Sequence, residues 1–326
     1  MTHSCARAPA RWEVTATAFR AAVGLHLLNL PLPGSGRTGE RWAVLSRLGG
    51  EDLSLARLAE GHADALAILA ELGGPRPPAA SRWGVWAAKP PGPPLDAVQN
   101  GGRWRLAGTK QYCSGARVCT HVLVTAAAPD GERLFALPTD DLTPIAGTWP
   151  ATGMSGSDTL DVSFPDVLAE PLGPPGAYLE RPGFAHGGAG VAACWYGGAR
   201  AIGRTLLDAA RARDVGPHAL AHLGTVDLAL GTSRAALEGA ARAIDSDPGD
   251  LKGEGPGRAL RVRALVERSA SEVITAVGRA LGAGPLSRDE AHSRRVADLT
   301  VYLRQHHGER DLAALGALVA ERIPPW

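Results

Sequence analysis

Gly108-Thr109-Lys110-Gln111-Tyr112-Cys113-Ser114-Gly115-Ala116 is the stretch whose reading decides the fold. It follows a strand-like run, Trp104-Arg105-Leu106, and precedes a second one, His121-Val122-Leu123-Val124-Thr125. Small, aromatic and hydroxyl residues crowd this strand-to-strand junction. Such a junction lays backbone N–H groups and a hydroxyl against a flat ring.

The region around it, residues 83–172, alternates short runs rich in β-branched and aromatic residues with Gly, Pro, Asp and Asn. Asn100-Gly101-Gly102 and Pro129-Asp130-Gly131 read as hairpin turns between such runs. These features predict a compact antiparallel β domain. Upstream, Pro31, Pro33, Gly34 and Gly36 are expected to break the first thirty-odd residues before any long helix forms. Residues 37–48 and 51–72 then read as two helices joined at Gly49-Gly50. The second carries Leu55, Leu58, Leu66 and Leu69 on a helical period, and Pro75, Pro77 and Pro78 close it. Downstream, residues 189–320 are helical again. Leu220, Leu223, Val226, Leu230, Leu237, Ala241 and Ile244 form one apolar stripe, and Val262, Val266, Val273, Val277 and Leu281 another. A long turn from Asp247-Pro248-Gly249 to Gly257 separates them, which suggests a four-helix bundle. The predicted organisation is a helical segment over 1–82, a β domain over 83–175 and a helical bundle over 176–326.

Composition narrows the function classes. The chain has 326 residues, enough for two or three domains or one large core. Hydrophobic residues make up 45% and charged residues 21%, ordinary for a soluble globular protein. With a formal net charge of +1 and no basic block of five, no nucleic-acid partner is expected. The apolar stretch 21–32 contains His26, Asn29 and Pro31 and is too short to span a bilayer, so no membrane span is expected. Cys5, Cys113, Cys119 and Cys194 form no C-x-x-C pair and no His cluster has zinc-finger spacing, so no metal is expected. Reduced thiols in a cytoplasmic protein are the reading. Glu60, His62 and Asp64 read as a surface or interface cluster.

The 108–116 stretch resembles the flavin-contacting segment of the acyl-CoA dehydrogenase family, roughly Gly-x-Lys-x-aromatic-x-Ser/Thr-Asn/Gly-Ala. The resemblance extends to Gly153, Ser157 and Thr159, followed by Phe164-Pro165-Asp166-Val167, which is similar to the family's Gly-x-x-x-Ser-x-Thr and Phe-x-x-Val signature. Asp52-Leu53-Ser54-Leu55-Ala56-Arg57 and Glu60-Gly61-His62 look like a helix of some members. Ala87-Ala88-Lys89-Pro90-Pro91-Gly92 stands where the family has a Thr-Glu-Pro-Gly turn. Residues 38–312 are covered.

The resemblance implies an α+β fold with N-terminal helices, a central antiparallel β domain and a C-terminal four-helix bundle. It implies FAD as cofactor, contacted by Tyr112, Cys113 and Ser114, by Ser157, and by the backbone of Ala87 and Ala88. Hydrogen-bond donors near the flavin ring tune its electron density. The family's Arg-x-x-Phe-Gly arginine reaches the pyrophosphate of a neighbouring subunit's FAD. Arg213 is the nearest match, although it stands one residue too close to Gly216; a cation favouring a helix C-terminus is the alternative reading.

The family's general base is a Glu about two helical turns beyond an Arg-Asp pair. Here Ala297-Asp298 holds the pair's place, and counting forward reaches His306, or His307 if Gly308 is matched to the family Gly. Glu309 lies too late by either count and reaches in only through a shifted loop. A histidine suits proton transfer near neutral pH. The resemblance implies α,β-dehydrogenation of an acyl thioester such as acyl-CoA, in a homodimer or homotetramer, with a flavin electron acceptor or reductase as partner. Two alternatives stand beside it: a flavin-dependent monooxygenase of the same fold, which needs no Glu base, and a degenerate binding or scaffold member.

Overall fold

A computed structural model describes residues 9–321; Cys5 lies outside the described residues. The described residues begin with a helix, α1 (Arg11–Gly24), in a region where the sequence predicts no long helix. Its Thr15, Ala16, Phe19 and Val23 repeat at helical spacing and are buried, and the Pro and Gly breakers fall after it.

Two further helices follow, α2 (Thr38–Glu51) and α3 (Leu53–Glu71), and they meet at Asp52, not at the expected Gly49-Gly50. Asp52 caps α3, its Oδ1 accepting the Leu55 N–H at 2.9 Å. The glycines sit inside α2 because another helix crosses there. A Cβ at Gly49 would overlap the Cys194 carbonyl, and one at Gly197 would overlap that of Ser46.

Seven strands come next: β1 (Trp83–Trp86), β2 (Asp96–Asn100), β3 (Arg103–Cys113), β4 (His121–Ala128), β5 (Gly131–Pro138), β6 (Thr143–Ile145) and β7 (Leu160–Pro171). Strands β4, β2, β3, β7 and β5 pair in a ring that closes on β4, forming a small barrel; β1 joins at β4 and β6 at β7. The sheet is not purely antiparallel as expected: β1 and β2 both run parallel to β4. Gly101-Gly102 makes the expected two-residue hairpin turn, both with positive φ (56° and 80°). Leu106, Val122, Phe135 and Phe164 fill the interior. Lys110 points inward too, its Nζ donating to the Thr125 carbonyl at 2.8 Å and Oγ1 at 2.9 Å. Most of the 108–116 stretch therefore continues β3, and only its last residues turn.

The remainder is helical: α4 (Ala177–Glu180), α5 (Pro182–Ala212), α6 (Gly216–Ser246), α7 (Gly255–Leu281), α8 (Gly284–Arg288), α9 (Glu290–Tyr302) and α10 (Glu309–Ala320). The three long helices α5, α6 and α7 pack on one another, with α2 and α9 against α5 and α10 against α7. Their core, around Leu45, Trp195, Ile202, Val266 and Val273, is shared with the N-terminal helices. The α6 stripe holds at Val226, Leu237, Ala241 and Ile244, but Leu220 is exposed. Among the described residues, no helix is long and apolar enough to cross a membrane.

Candidate active site

The expected flavin-contacting residues lie where β3 and β7 slip register, between the pairs Lys110–Val162 and Cys113–Leu160. This bulge throws Tyr112 into a left-handed backbone conformation (φ 60°), rare for a bulky residue. Its ring stands half-exposed, edge-on to Trp149 at 6.3 Å. Cys113 points the other way and is fully buried, so its side chain does not reach the face. Burial pushes its thiol pKa well up.

Ser114 is half-buried at the rim, its Oγ 3.0 Å from Thr159 Oγ1. Thr159 Oγ1 in turn lies 2.8 Å from Ser157 Oγ, which donates to the Met154 carbonyl at 2.7 Å. Ser157 itself is buried and ties the 154–159 turn together. Ala87 and Ala88 follow β1 and are half-buried, while Lys89 pairs with Glu132 at 3.0 Å.

This turn is docked onto α9. A Cβ at Gly153 would overlap the Ala297 carbonyl, so only glycine permits the approach. The Met154 N–H donates to Asp298 Oδ1 at 2.6 Å, and Arg11 Nη2 reaches Asp298 Oδ2 at 2.5 Å. Burial raises the Asp298 pKa despite Arg11. Asp158, at the end of the turn, pairs with Arg117.

The histidines take different positions. His306 is buried in the turn between α9 and α10. Its Nδ1 accepts the Gly308 N–H at 3.2 Å, and its Nε2 has no hydrogen-bond partner, with Asp311 Oδ2 at 4.0 Å. Burial lowers its pKa. His307 is exposed and tied to Asp311 through Nδ1 at 3.2 Å. Glu309 is exposed at the start of α10. Arg213 is exposed at the C-terminal end of α5, and no hydrogen bond or ion pair between described residues joins it to 112–114.

The sequence reading missed a buried polar cluster on α3. Glu60 and His62 are buried, not surface residues as expected. The helix is enclosed because α1, α2, α5, α9 and β1 all pack on it. Arg57 Nη1 donates to Glu60 Oε2 at 2.5 Å, and Arg41 Nη2 lies 3.4 Å from Asp64 Oδ1. Burial raises the Glu60 pKa against the pull of Arg57. Tyr302 and Cys194 stand against this pair from α9 and α5. His62 Nδ1 accepts the Trp83 N–H at 3.2 Å, and burial drives its pKa down to about 4. Acids and bases separated by one turn of an Ala-rich helix were the available signal. Counting only large apolar residues hid it.

No protein-family model matches the chain, and no curated protein matches it significantly in sequence. Solved structures do match. TdsC from Paenibacillus sp. A11-2, in complex with FMN and indole, is 18% identical, with 97% of each chain covered and a TM-score of 0.77. A nitrososynthase from Micromonospora carbonacea var. africana is 22% identical over 88% of this chain and 84% of its own, TM-score 0.75. The steroid ACAD Tcur3481-Tcur3483 is 22% identical over 94% and 89%, TM-score 0.73. The fold is the acyl-CoA dehydrogenase-like fold.

In this acyl-CoA dehydrogenase-like chain, the face at Tyr112 fits a flat ring. The bulge turns an aromatic outward, a second aromatic buttresses it, and a hydroxyl pair borders it. Of the expected side chains, Tyr112 and Ser114 fit such a ligand; Cys113 and Ser157 are turned away. A hollow of about 610 Å³ lies elsewhere, against β5 and β7. It contains none of these residues, and its Arg105 already pairs with Asp166 at 2.8 Å. Among the described residues, no group of three or more His, Cys, Asp and Glu is placed to hold a metal.

Proposed function

We propose that this chain is a flavin-dependent oxidoreductase. FAD would lie against Tyr112, the Cys113 backbone, Ser114 and the Ala87-Ala88 backbone. Arg213 would reach the pyrophosphate bound by a second copy in a homodimer or homotetramer. Within that class, the reading we favour is a monooxygenase acting on a small molecule with a flavin reductase as partner. A bound reduced flavin supplies two electrons, so that with O2 one oxygen atom enters the substrate and the other leaves as water.

The observation that carries this reading is the state of the base position. Between Asp298 and Asp311 the only intervening carboxylate is Glu309, and it is exposed at the start of α10. Asp311 is engaged by His307, and the buried Glu60 by Arg57. Among the described residues between 298 and 311, therefore, no free carboxylate is buried where it could take a substrate α-proton, a contribution of roughly 10²- to 10⁴-fold. TdsC, a dibenzothiophene monooxygenase, has the same fold and supports the choice.

One observation favours a second reading, acyl-thioester desaturation. The unpartnered His306 Nε2 is a proton acceptor site once its tautomer is reversed. The test separates the two. Purified protein loaded with flavin is mixed anaerobically with acyl-CoA, and oxygen uptake is measured separately with NADH and a flavin reductase. The monooxygenase reading expects no bleaching by acyl-CoA and oxygen uptake above that of reductase and flavin alone. Anaerobic bleaching by acyl-CoA contradicts it.

A further inference from the structure

Where β3 and β7 slip register, two residues of β3, Gln111 and Tyr112, stand opposite one residue of β7, Asp161. The bulge decides which way Tyr112 points. Lys110 faces the barrel interior, so in a regular strand residue 112 would face inward as well. With the extra residue, Cys113 takes the inward place and the Tyr112 ring stands half-exposed. Asp161 lies on the same outer side. Its neighbours Leu160 and Val162 are buried in the interior, and strand alternation turns its own half-buried side chain the other way. There its Oδ1 accepts the Tyr112 N–H at 3.4 Å, a long hydrogen bond. A carboxylate oxygen thus stands in for the ladder carbonyl that the slip removes.

Asp161 is itself pinned from its other edge. It stands opposite Ile145 of β6, but its N–H donates to Thr148 Oγ1 at 2.8 Å, and that hydroxyl donates to the Ile145 carbonyl at 2.8 Å. The next residue, Trp149, meets the Tyr112 ring edge-on and is anchored in turn, its Nε1 donating to the Gly153 carbonyl at 3.2 Å. Tyr112 is therefore gripped at its backbone through Asp161 and at its ring through Trp149. A bulky residue in the left-handed region persists only where its surroundings over-determine it, and such outliers gather at ligand sites.

We propose that Asp161 is the positioning residue of the ring-binding face: by accepting the Tyr112 N–H it fixes the left-handed backbone that presents the Tyr112 ring, and the Thr148 hydroxyl holds Asp161 in place for that task. That the presented ring meets a flavin rests on the oxidoreductase reading above; the clamp itself does not.

The test reads backbone and ligand separately. The chain has four tyrosines, so labelling tyrosine alone with carbon-13 and nitrogen-15 gives a simple spectrum in which Tyr112 is assigned by its absence from Tyr112→Phe. In flavin-free protein its Cα shift should report the left-handed backbone, move to strand values in Asp161→Ala and in Thr148→Val, and stay in Asp161→Asn, which keeps an acceptor oxygen. FAD and FMN affinities should follow, about tenfold weaker in Asp161→Ala and Thr148→Val and within about a factor of two in Asp161→Asn. Thr148→Val leaves Asp161 in the chain and repeats the test should Asp161→Ala not fold. An unmoved Tyr112 resonance in the folded variants, or a moved one with flavin affinity unchanged, overturns the inference. So does affinity lost equally in Asp161→Asn, which would assign the effect to charge. If the native chain binds neither flavin while Tyr112 still moves in the variants, the clamp stands and the oxidoreductase reading falls.

Discussion

His62 shows how one buried residue sets a pH response. Its Nδ1 accepts the Trp83 N–H, so the folded state requires the neutral ring. Its pKa falls from 6.5 to about 4 on folding, through burial and then Arg82. The unfolded chain therefore takes up this proton first as pH drops. The stabilisation is complete above pH 6.5 and is lost as pH falls from about 6.5 to about 4, costing about 3 kcal/mol. Half-buried His121 and buried His292 and His306 shift in the same direction. Urea midpoints measured from pH 7.5 to 4.5 should fall in the native protein and fall less in His62→Gln; equal slopes would refute the assignment. Asp298→Ala should cost about 2 kcal/mol by leaving the Met154 N–H and Arg11 without their acceptor, read as a lower denaturation midpoint. At this scale the sequence singles out Tyr112 and Ser114 through the pattern of their neighbours, and the structure sets them at the β3 bulge and its rim. It concealed the burial of Glu60 and His62, because enclosure of α3 depends on five other elements, α5 and α9 among them far along the chain.

Elements are held together here by close backbone approaches. Helices α2 and α5 cross at Gly49 and Gly197, and the 153–158 turn meets α9 at Gly153. Gly197→Ala should destabilise by about 1–3 kcal/mol through overpacking, seen as an earlier thermal transition. Gly153→Ala should lift the turn that carries Thr159 and weaken flavin binding more than it lowers stability. Equal flavin affinity in that variant would separate the turn from the site. Sequence alone reads Gly49-Gly50 as a break, since glycine is poor inside a helix. The crossing helix that requires it lies about 145 residues further on, beyond any local pattern. The barrel's parallel pairs were hidden for the same reason: alternation predicts strands, and pairing partners are set by closure of the ring.

For the whole molecule, the order of helices, strands and helices was legible from periodicity and turns, and closure of the strands into a small barrel was not. The functional account then depends on one claim, that the Tyr112–Ser114 face holds a flavin. Equilibrium titration of the purified chain with FAD, and in parallel with FMN, followed by flavin fluorescence, tests it most directly. The account predicts saturable one-to-one binding, weakened about tenfold in Tyr112→Ala. Absence of saturable binding of either flavin, or binding unchanged by that substitution, would contradict it.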